Sequence, residues 1–216
     1  MRRLLVLLLV VPTLLMAADI GNATDIAPIN RLDSRYCIHY GSESAPHEIT
    51  EYFSFSCPHC IRLFLDDFPS IEGEHLQNGK VKWTFHPVPV DLLTVQAMAC
   101  LEQLSDPEKR IFLEEIFLEA VRSKPIDLPL LMEKIVEATG KTPPAVTDFK
   151  TLENTDAFQA AFLYVKGGID IVGVPTLALD GNHLGEELPT KGFVRELTHT
   201  LCSQQASLQE VPCASF

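Results

Sequence analysis

Apolar residues follow three rhythms along this chain. Residues 4 to 16 form an apolar run broken only at Pro12 and Thr13. Residues 36 to 40, 47 to 55, 81 to 88 and 169 to 179 are short runs rich in aromatic and β-branched side chains, bounded by turn-forming stretches such as Gly41 to Pro46, and they read as strands. Between about 91 and 167 the apolar positions recur at helical spacing. The 47–55 run, with Ile49, Tyr52, Phe53 and Phe55, is largely apolar and predicts a central buried strand. A helical pattern begins at Cys60, so Cys57-Pro58-His59-Cys60 falls on a strand-to-helix turn.

Several boundaries carry their own signals. Pro87 and Pro89 end the 81–88 strand. Helical units are predicted over 92–104, then over 111–121 behind a capping box of Ser105 and Glu108. Asp127 caps a third unit over 128–139, which stops at Gly140 ahead of Pro143 and Pro144, and a fourth covers 155–166 before Gly167 and Gly168. Pro175 interrupts the 169–179 strand, and Asp180-Gly181-Asn182 predicts a hairpin turn into a short strand near His183 and Leu184. A final amphipathic helix is predicted over 193–202. Strands, a block of helices, then strands again describe an α/β core with a helical insertion.

The amino terminus decides which cysteine chemistry is available. Arg2 and Arg3, the apolar run and then Ala17 and Ala18 make a secretory signal peptide, with cleavage placed near Ala18 and Ala23 as the alternative. The run is shorter than the ~20 residues a spanning helix needs, and no Cys follows it to carry a lipid. An exported, periplasmic chain is expected, in a compartment where disulfides persist. Six Cys are too few for a disulfide-stapled scaffold, and 46% hydrophobic residues suffice for one compact domain. A net charge of −12 argues against nucleic acid and anionic membranes as partners.

Cys57 stands where unpaired helix amides favour an anion, so its thiolate, the attacking and leaving species in disulfide exchange, is stabilised. Pro58 suits the first helical turn, and His59 is placed to lower the Cys57 pKa further. Cys60, one turn on, faces the apolar side and is expected to be buried and to react second. Each unit of pKa depression stabilises the reduced form by ~1.4 kcal/mol, which for this couple is roughly 30 mV toward a more oxidising disulfide. Structural zinc would need a second C-x-x-C or an H-x3-5-H, and haem attachment a His after Cys60, where Ile61 stands. Redox use is the leading reading, and no metal or cofactor is expected.

Gly173-Val174-Pro175-Thr176 alone reads as an edge-strand proline. Together with Glu51 to Cys60 and Val81-Lys82-Trp83-Thr84, it resembles the cis-proline loop of the DsbA-like thiol:disulfide oxidoreductases. That resemblance, over about residues 35 to 202, implies a thioredoxin fold with an inserted helical domain: a signal peptide over 1–18, a lead segment over 19–35, thioredoxin-like parts at 36–90 and 168–202, the insertion at 91–167 and a tail at 203–216. It implies Cys57 as nucleophile, Cys60 as buried partner, Val174 and cis-Pro175 with Pro58 as the peptide-docking surface, and Glu51 as a proton-transfer group beside Cys60. Its activity would be a dithiol oxidase, monomeric, that passes the Cys57–Cys60 disulfide to unfolded secreted proteins and is re-oxidised by a quinone-linked membrane protein of the DsbB type.

Two alternatives stay open. One is an isomerase or reductase kept reduced by a membrane thiol relay, although no amino-terminal dimerisation domain is expected in the short stretch before Tyr36. The other is a soft-metal chaperone using Cys57, His59 and Cys60. For Glu51 the alternative is a wet strand edge, and Phe85 stands about where a charged partner would be expected on the next strand. Cys100 reads as a core thiol, while Cys37, Cys202 and Cys213 leave a second, structural disulfide open. His39, His86 and His183 read as ordinary surface or core residues.

Overall fold

The computed structural model describes residues 32–142, 148–168, 171–184 and 201. The expected signal peptide, nearly all of the helix expected over 193–202, Cys202 and Cys213 lie outside the described residues. Among the described residues no helix is long and apolar enough to cross a membrane.

Five strands form one sheet in the order β1-β3-β2-β4-β5: Ile38–Gly41, His47–Phe53, Val81–Pro87, Thr176–Leu179 and Asn182–His183 are β1 to β5. β2 and β3 run parallel, and every other pair is antiparallel. β2 is the middle strand, buried at six of its seven positions, and its buried residues include the polar His47, Thr50 and Glu51 beside Ile49, Tyr52 and Phe53. Gly41 closes β1 at φ +84°, and a Cβ there would meet the Val81 carbonyl oxygen at 2.5 Å, so neither conformation nor space admits another residue. Asp180 (φ 50°) and Gly181 (φ 83°) form the predicted two-residue hairpin between β4 and β5.

The parallel β2–β3 crossover is one helical run over 58–76. It starts as α1 (Pro58–Arg62), widens through a π turn at Leu63–Asp67, tightens as α2 (Phe68–Ile71) and widens again over Glu72–Leu76. Pro69 has no N–H to give a carbonyl four residues back, and the wide turn just before it accommodates that missing bond. This run covers one sheet face with rings: Phe68 packs on Phe85 at 5.1 Å and on Trp83 at 5.5 Å, and Phe64 on Phe85 at 5.6 Å.

Helices α3 (Leu92–Leu101), α4 (Asp106–Arg122), α5 (Leu128–Thr139), α6 (Phe149–Leu152) and α7 (Asp156–Lys166) form the helical block between β3 and β4. Both halves of the Ser105–Glu108 capping box are present, and Asp127 caps α5, which ends on left-handed Gly140. α4 also guards the edge strand β1: Lys109 Nζ donates to the Cys37 carbonyl at 3.2 Å and Arg110 Nε to the His39 carbonyl at 2.7 Å.

The structure corrects several expected boundaries. Tyr36 belongs to a 3-10 turn (Ser34–Tyr36) capped by Asp33, because the Asp33 carboxylate takes the Arg35 amide and curls the chain before β1. β2 stops at Phe53, since the Phe55 amide is bonded to a side chain on α3. The stretch 171–175 is not strand: Pro175 has no ladder N–H and follows a cis peptide, so pairing starts only at Thr176. α3 ends at Leu101, three residues early, and α6 is an additional short helix that Asp148 caps.

Candidate redox site

β2 runs into the turn Ser54-Phe55-Ser56, and Phe55 is anchored there against Phe112 and Phe117 of α4, with ring centroids 6.0 Å away in both cases. Cys57 then has extended backbone (φ −77°, ψ 117°) and is the N-cap of α1, with Pro58 at the first helical position. Its sulfur sits where a Ser or Asp oxygen sits at an ordinary N-cap, accepting the Cys60 N–H at 3.5 Å. The loop before β4 comes up against it: the Cys57 Sγ lies 3.4 Å from the Val174 carbonyl oxygen, to which its S–H donates. The Val174–Pro175 peptide is cis. Thus Val174 is brought to the first cysteine across 117 positions of sequence.

Both cysteines are thiols in this structure, and their surroundings treat them oppositely. Cys57 is partly exposed and its pKa is lowered to about 6. The largest cause is the Cys60 S–H donating to its sulfur; the backbone amides of Cys60 and His59 and the charge of His59 add to this, against the opposing effect of burial. Cys60 is fully buried, and burial first, then its bond to Cys57 and the proximity of Glu51, push its thiol far up. His59 contributes mainly through its backbone. Its Nδ1 lies 2.8 Å from Arg62 Nη2, and since a guanidinium only donates, Nδ1 is the acceptor.

Glu51 lies on β2, 1% exposed, and not at a wet strand edge. Its register partners are Phe85 on β3 and Leu177 on β4. Neither carboxyl oxygen has a hydrogen-bond partner. Burial pushes its pKa well above the usual carboxylate range; the Trp83 indole N–H pulls the other way without reaching hydrogen-bond geometry. Burial with no cation across the ladder favours the neutral form of this carboxyl.

Cys100 is buried and its thiol is pushed up to about 12 by that burial. Cys37 is buried beside α4. Any pairing of Cys202 or Cys213 falls outside the described residues. His39 bonds Thr84 at 3.0 Å, His86 accepts the Leu32 N–H at 3.0 Å and His183 is exposed, so none of the three joins the cysteines. Two features at the site had no flag in the sequence. A cavity of about 870 Å³ opens beside Pro58, walled by Ile61, Leu92, Leu93, Pro125 and Ile126, residues of three separate segments. Ser54 and Thr94, on opposite sides of the turn, are joined through Asp91.

A family model described as thioredoxin matches residues 33–198. The chain belongs to the thioredoxin family. Solved structures of the same fold include oxidised BdbD from Bacillus subtilis (TM-score 0.61, 17% identity, 80% of this chain and 96% of that one) and α-DsbA1 from Wolbachia pipientis (0.61, 18%, 80% and 94%). DsbA from Chlamydia trachomatis is similar at a TM-score of 0.54 and 20% identity, over 78% of this chain and 91% of that one. No curated protein matches the chain significantly. The family match and these neighbours make it a DsbA-like thioredoxin-fold protein, with the helical block inserted in the thioredoxin core.

Proposed function

We propose that this protein is an exported thiol:disulfide oxidoreductase that donates a Cys57–Cys60 disulfide to reduced, unfolded secreted proteins. The observation that carries this reading is the asymmetry of the two sulfurs: one half-exposed and acidified, the next buried and held as a thiol. A substrate thiolate attacks Cys57 Sγ, the Cys57–Cys60 bond breaks and Cys60 leaves, taking up a proton for which buried Glu51 is the nearby acid. The second substrate thiolate then attacks the substrate sulfur of the mixed disulfide, and Cys57 leaves as a stabilised thiolate. Two electrons pass from the substrate dithiol to the protein; one proton ends on Cys60 and the other goes to solvent, since Cys57 leaves as the thiolate. Stabilising the reduced form makes the disulfide a better oxidant, which favours an oxidase over an isomerase or reductase.

Val174, Pro175 and Pro58 surround Cys57 as the docking surface. The Val174 carbonyl, already within hydrogen-bond reach of the sulfur, offers a main-chain contact that any substrate sequence can use. The basic, apolar amino terminus supports export to the periplasm, and re-oxidation there falls to a quinone-linked membrane protein of the DsbB type, with the protein acting as a monomer. A soft-metal role has no support in the geometry: among the described residues no three His, Cys, Asp or Glu side chains are grouped to hold an ion.

The test is oxidation of a reduced two-cysteine peptide by the oxidised protein. Wild type converts it stoichiometrically; Cys57→Ser and Cys60→Ser, which have no disulfide to give, leave it reduced, and Cys60→Ser instead attacks glutathione disulfide, releasing one glutathione and keeping the other as a mixed disulfide at Cys57 that reductant cleaves. A wild type that leaves the peptide reduced in glutathione buffer, yet reduces an oxidised peptide, makes the protein a reductase instead.

A further inference from the structure

The turn that carries Cys57 is tied to α3 through one carboxylate. Asp91, the N-cap of α3, receives three donors on two oxygens. Thr94 N–H donates to Oδ1 at 2.8 Å, while Thr94 Oγ1 and Ser54 Oγ lie 2.9 and 2.6 Å from Oδ2. A hydroxyl whose one hydrogen goes to the carboxylate has only lone pairs left to offer. Those lone pairs meet the amides of the turn. Phe55 N–H donates to Thr94 Oγ1 at 3.2 Å and Ser56 N–H to Ser54 Oγ at 3.1 Å. The next amide, Cys57 N–H, donates to the Ser54 carbonyl at 3.2 Å. Three successive amides therefore point into this network, while the sulfur faces the Cys60 N–H. Ser54 and Thr94 are buried, so water does not compete for these bonds.

We propose that Asp91 is a positioning residue for Cys57: by turning the Ser54 and Thr94 hydroxyls into acceptors, it holds the Ser54-to-Cys57 turn in one shape and links it to the helical insertion. This rests on the reading of Cys57 as the reactive thiol. Capping α3 needs only the contact with Thr94 N–H; the second oxygen, which gathers one hydroxyl from the helix and one from the turn, is what capping does not explain. Asparagine cannot do the same. Its single oxygen serves one side, and its NH2 then faces donors on the other.

The sign of the effect separates positioning from simple electrostatics. Through space, the charge of Asp91 disfavours a thiolate at Cys57, so neutralising it by Coulomb interaction alone lowers the Cys57 pKa. Loss of the turn's shape misaligns the donors around the sulfur and raises the pKa toward the ordinary value of about 8.5. Full-length Asp91→Asn, Thr94→Val and Thr94→Ser proteins, each checked by urea unfolding, are compared for the Cys57 alkylation midpoint and the equilibrium constant with glutathione. Asp91→Asn and Thr94→Val raise the midpoint and make the disulfide roughly tenfold less oxidising, about 30 mV, whereas Thr94→Ser, which keeps the hydroxyl, matches wild type. A midpoint unchanged or lowered in folded Asp91→Asn overturns the inference, and so does a Thr94→Ser protein as impaired as Thr94→Val. If Asp91→Asn does not fold, the two Thr94 variants decide. A wild type with an ordinary Cys57 overturns the reading beneath it, and this inference with it, before any variant is compared.

Discussion

Phe85 stands directly across from Glu51 in the β2–β3 ladder. The strand partner of the buried carboxyl is thus an aromatic residue, and nothing in that register offers the acid a positive charge. Glu51 is held as the neutral acid by burial, and its folded pKa lies above its unfolded one. The folded state then binds more protons than the unfolded chain, so stability falls as pH rises from about 4.5 toward the folded pKa. The slope reaches at most ~1.4 kcal/mol per pH unit. Glu51→Gln copies the shape of the neutral acid and cannot ionise. Urea unfolding of the two reduced proteins between pH 4 and 8 is expected to give nearly equal midpoints at the acid end and a more stable Glu51→Gln at the neutral end. Parallel curves would mean that Glu51 is ionised in the fold.

The thiols of Cys57 and Cys60 are expected to separate cleanly under alkylation. With Cys57 near 6 and Cys60 raised well out of range, iodoacetamide should label Cys57 with a rate midpoint close to pH 6 and, among the described cysteines, leave Cys60 and Cys100 untouched until the protein unfolds. Peptide mass spectrometry of the labelled protein reads each site separately. Labelling of Cys60 at a comparable rate would contradict the buried position that the fold gives it.

How much of this was visible in the sequence depends on distance along the chain. The Ser105–Glu108 box, the Asp127 cap, the Asp180-Gly181 hairpin and the strand-to-helix placement of Cys57 all depend on neighbours within a few residues, and each has a local signature. The burial of β2 showed in Ile49, Tyr52 and Phe53, while that of its polar His47, Thr50 and Glu51 had no local signature. Local reading failed where a tertiary contact outweighed it. Tyr36 looks like strand yet is drawn into the Asp33 turn, and the 171–175 run loses its strand at Pro175. The Ser54–Asp91–Thr94 network was illegible because Ser and Asp 37 positions apart carry no pattern until β2 and α3 are packed together. The cavity beside Pro58 was hidden for the same reason.

The cover over β1 gives a stability prediction independent of redox chemistry. Lys109 is 5% exposed, with its Nζ on the Cys37 carbonyl and 3.6 Å from Asp106. Lys109→Met keeps most of the buried stem but removes the charged donor from that carbonyl and the charge from Asp106. Losing a hydrogen bond from a charged donor costs about 1.5–3 kcal/mol. The urea midpoint should fall accordingly, with the Cys57 alkylation midpoint unmoved. A neutral substitution would mean that α4 packs on β1 by its apolar contacts alone.

The last prediction concerns which redox form is the more stable. A thiolate at Cys57 with a folded pKa near 6 and an unfolded one near 9 is favoured by the fold. For a depressed pKa the stabilisation is complete above the unfolded value and is lost as pH falls through the folded one. At pH 7 the Cys57 thiolate contributes at most ~1.4 kcal/mol to the reduced form, and less in practice because the half-exposed sulfur is screened by solvent. The oxidised form has no thiolate to stabilise. Urea denaturation of both forms is therefore expected to show the reduced protein gaining on the oxidised one steadily from pH 5 to 8, with most of its advantage gone by pH 5. Cys57→Ser, compared with reduced wild type, isolates the sulfur from the loop entropy that a disulfide adds to the unfolded chain: the contribution of Glu51 is common to both, and the stability of wild type relative to the variant should grow as pH rises over this window. If that difference stays constant with pH, the pH dependence belongs to another group and the acidified Cys57 does not drive the disulfide toward donation.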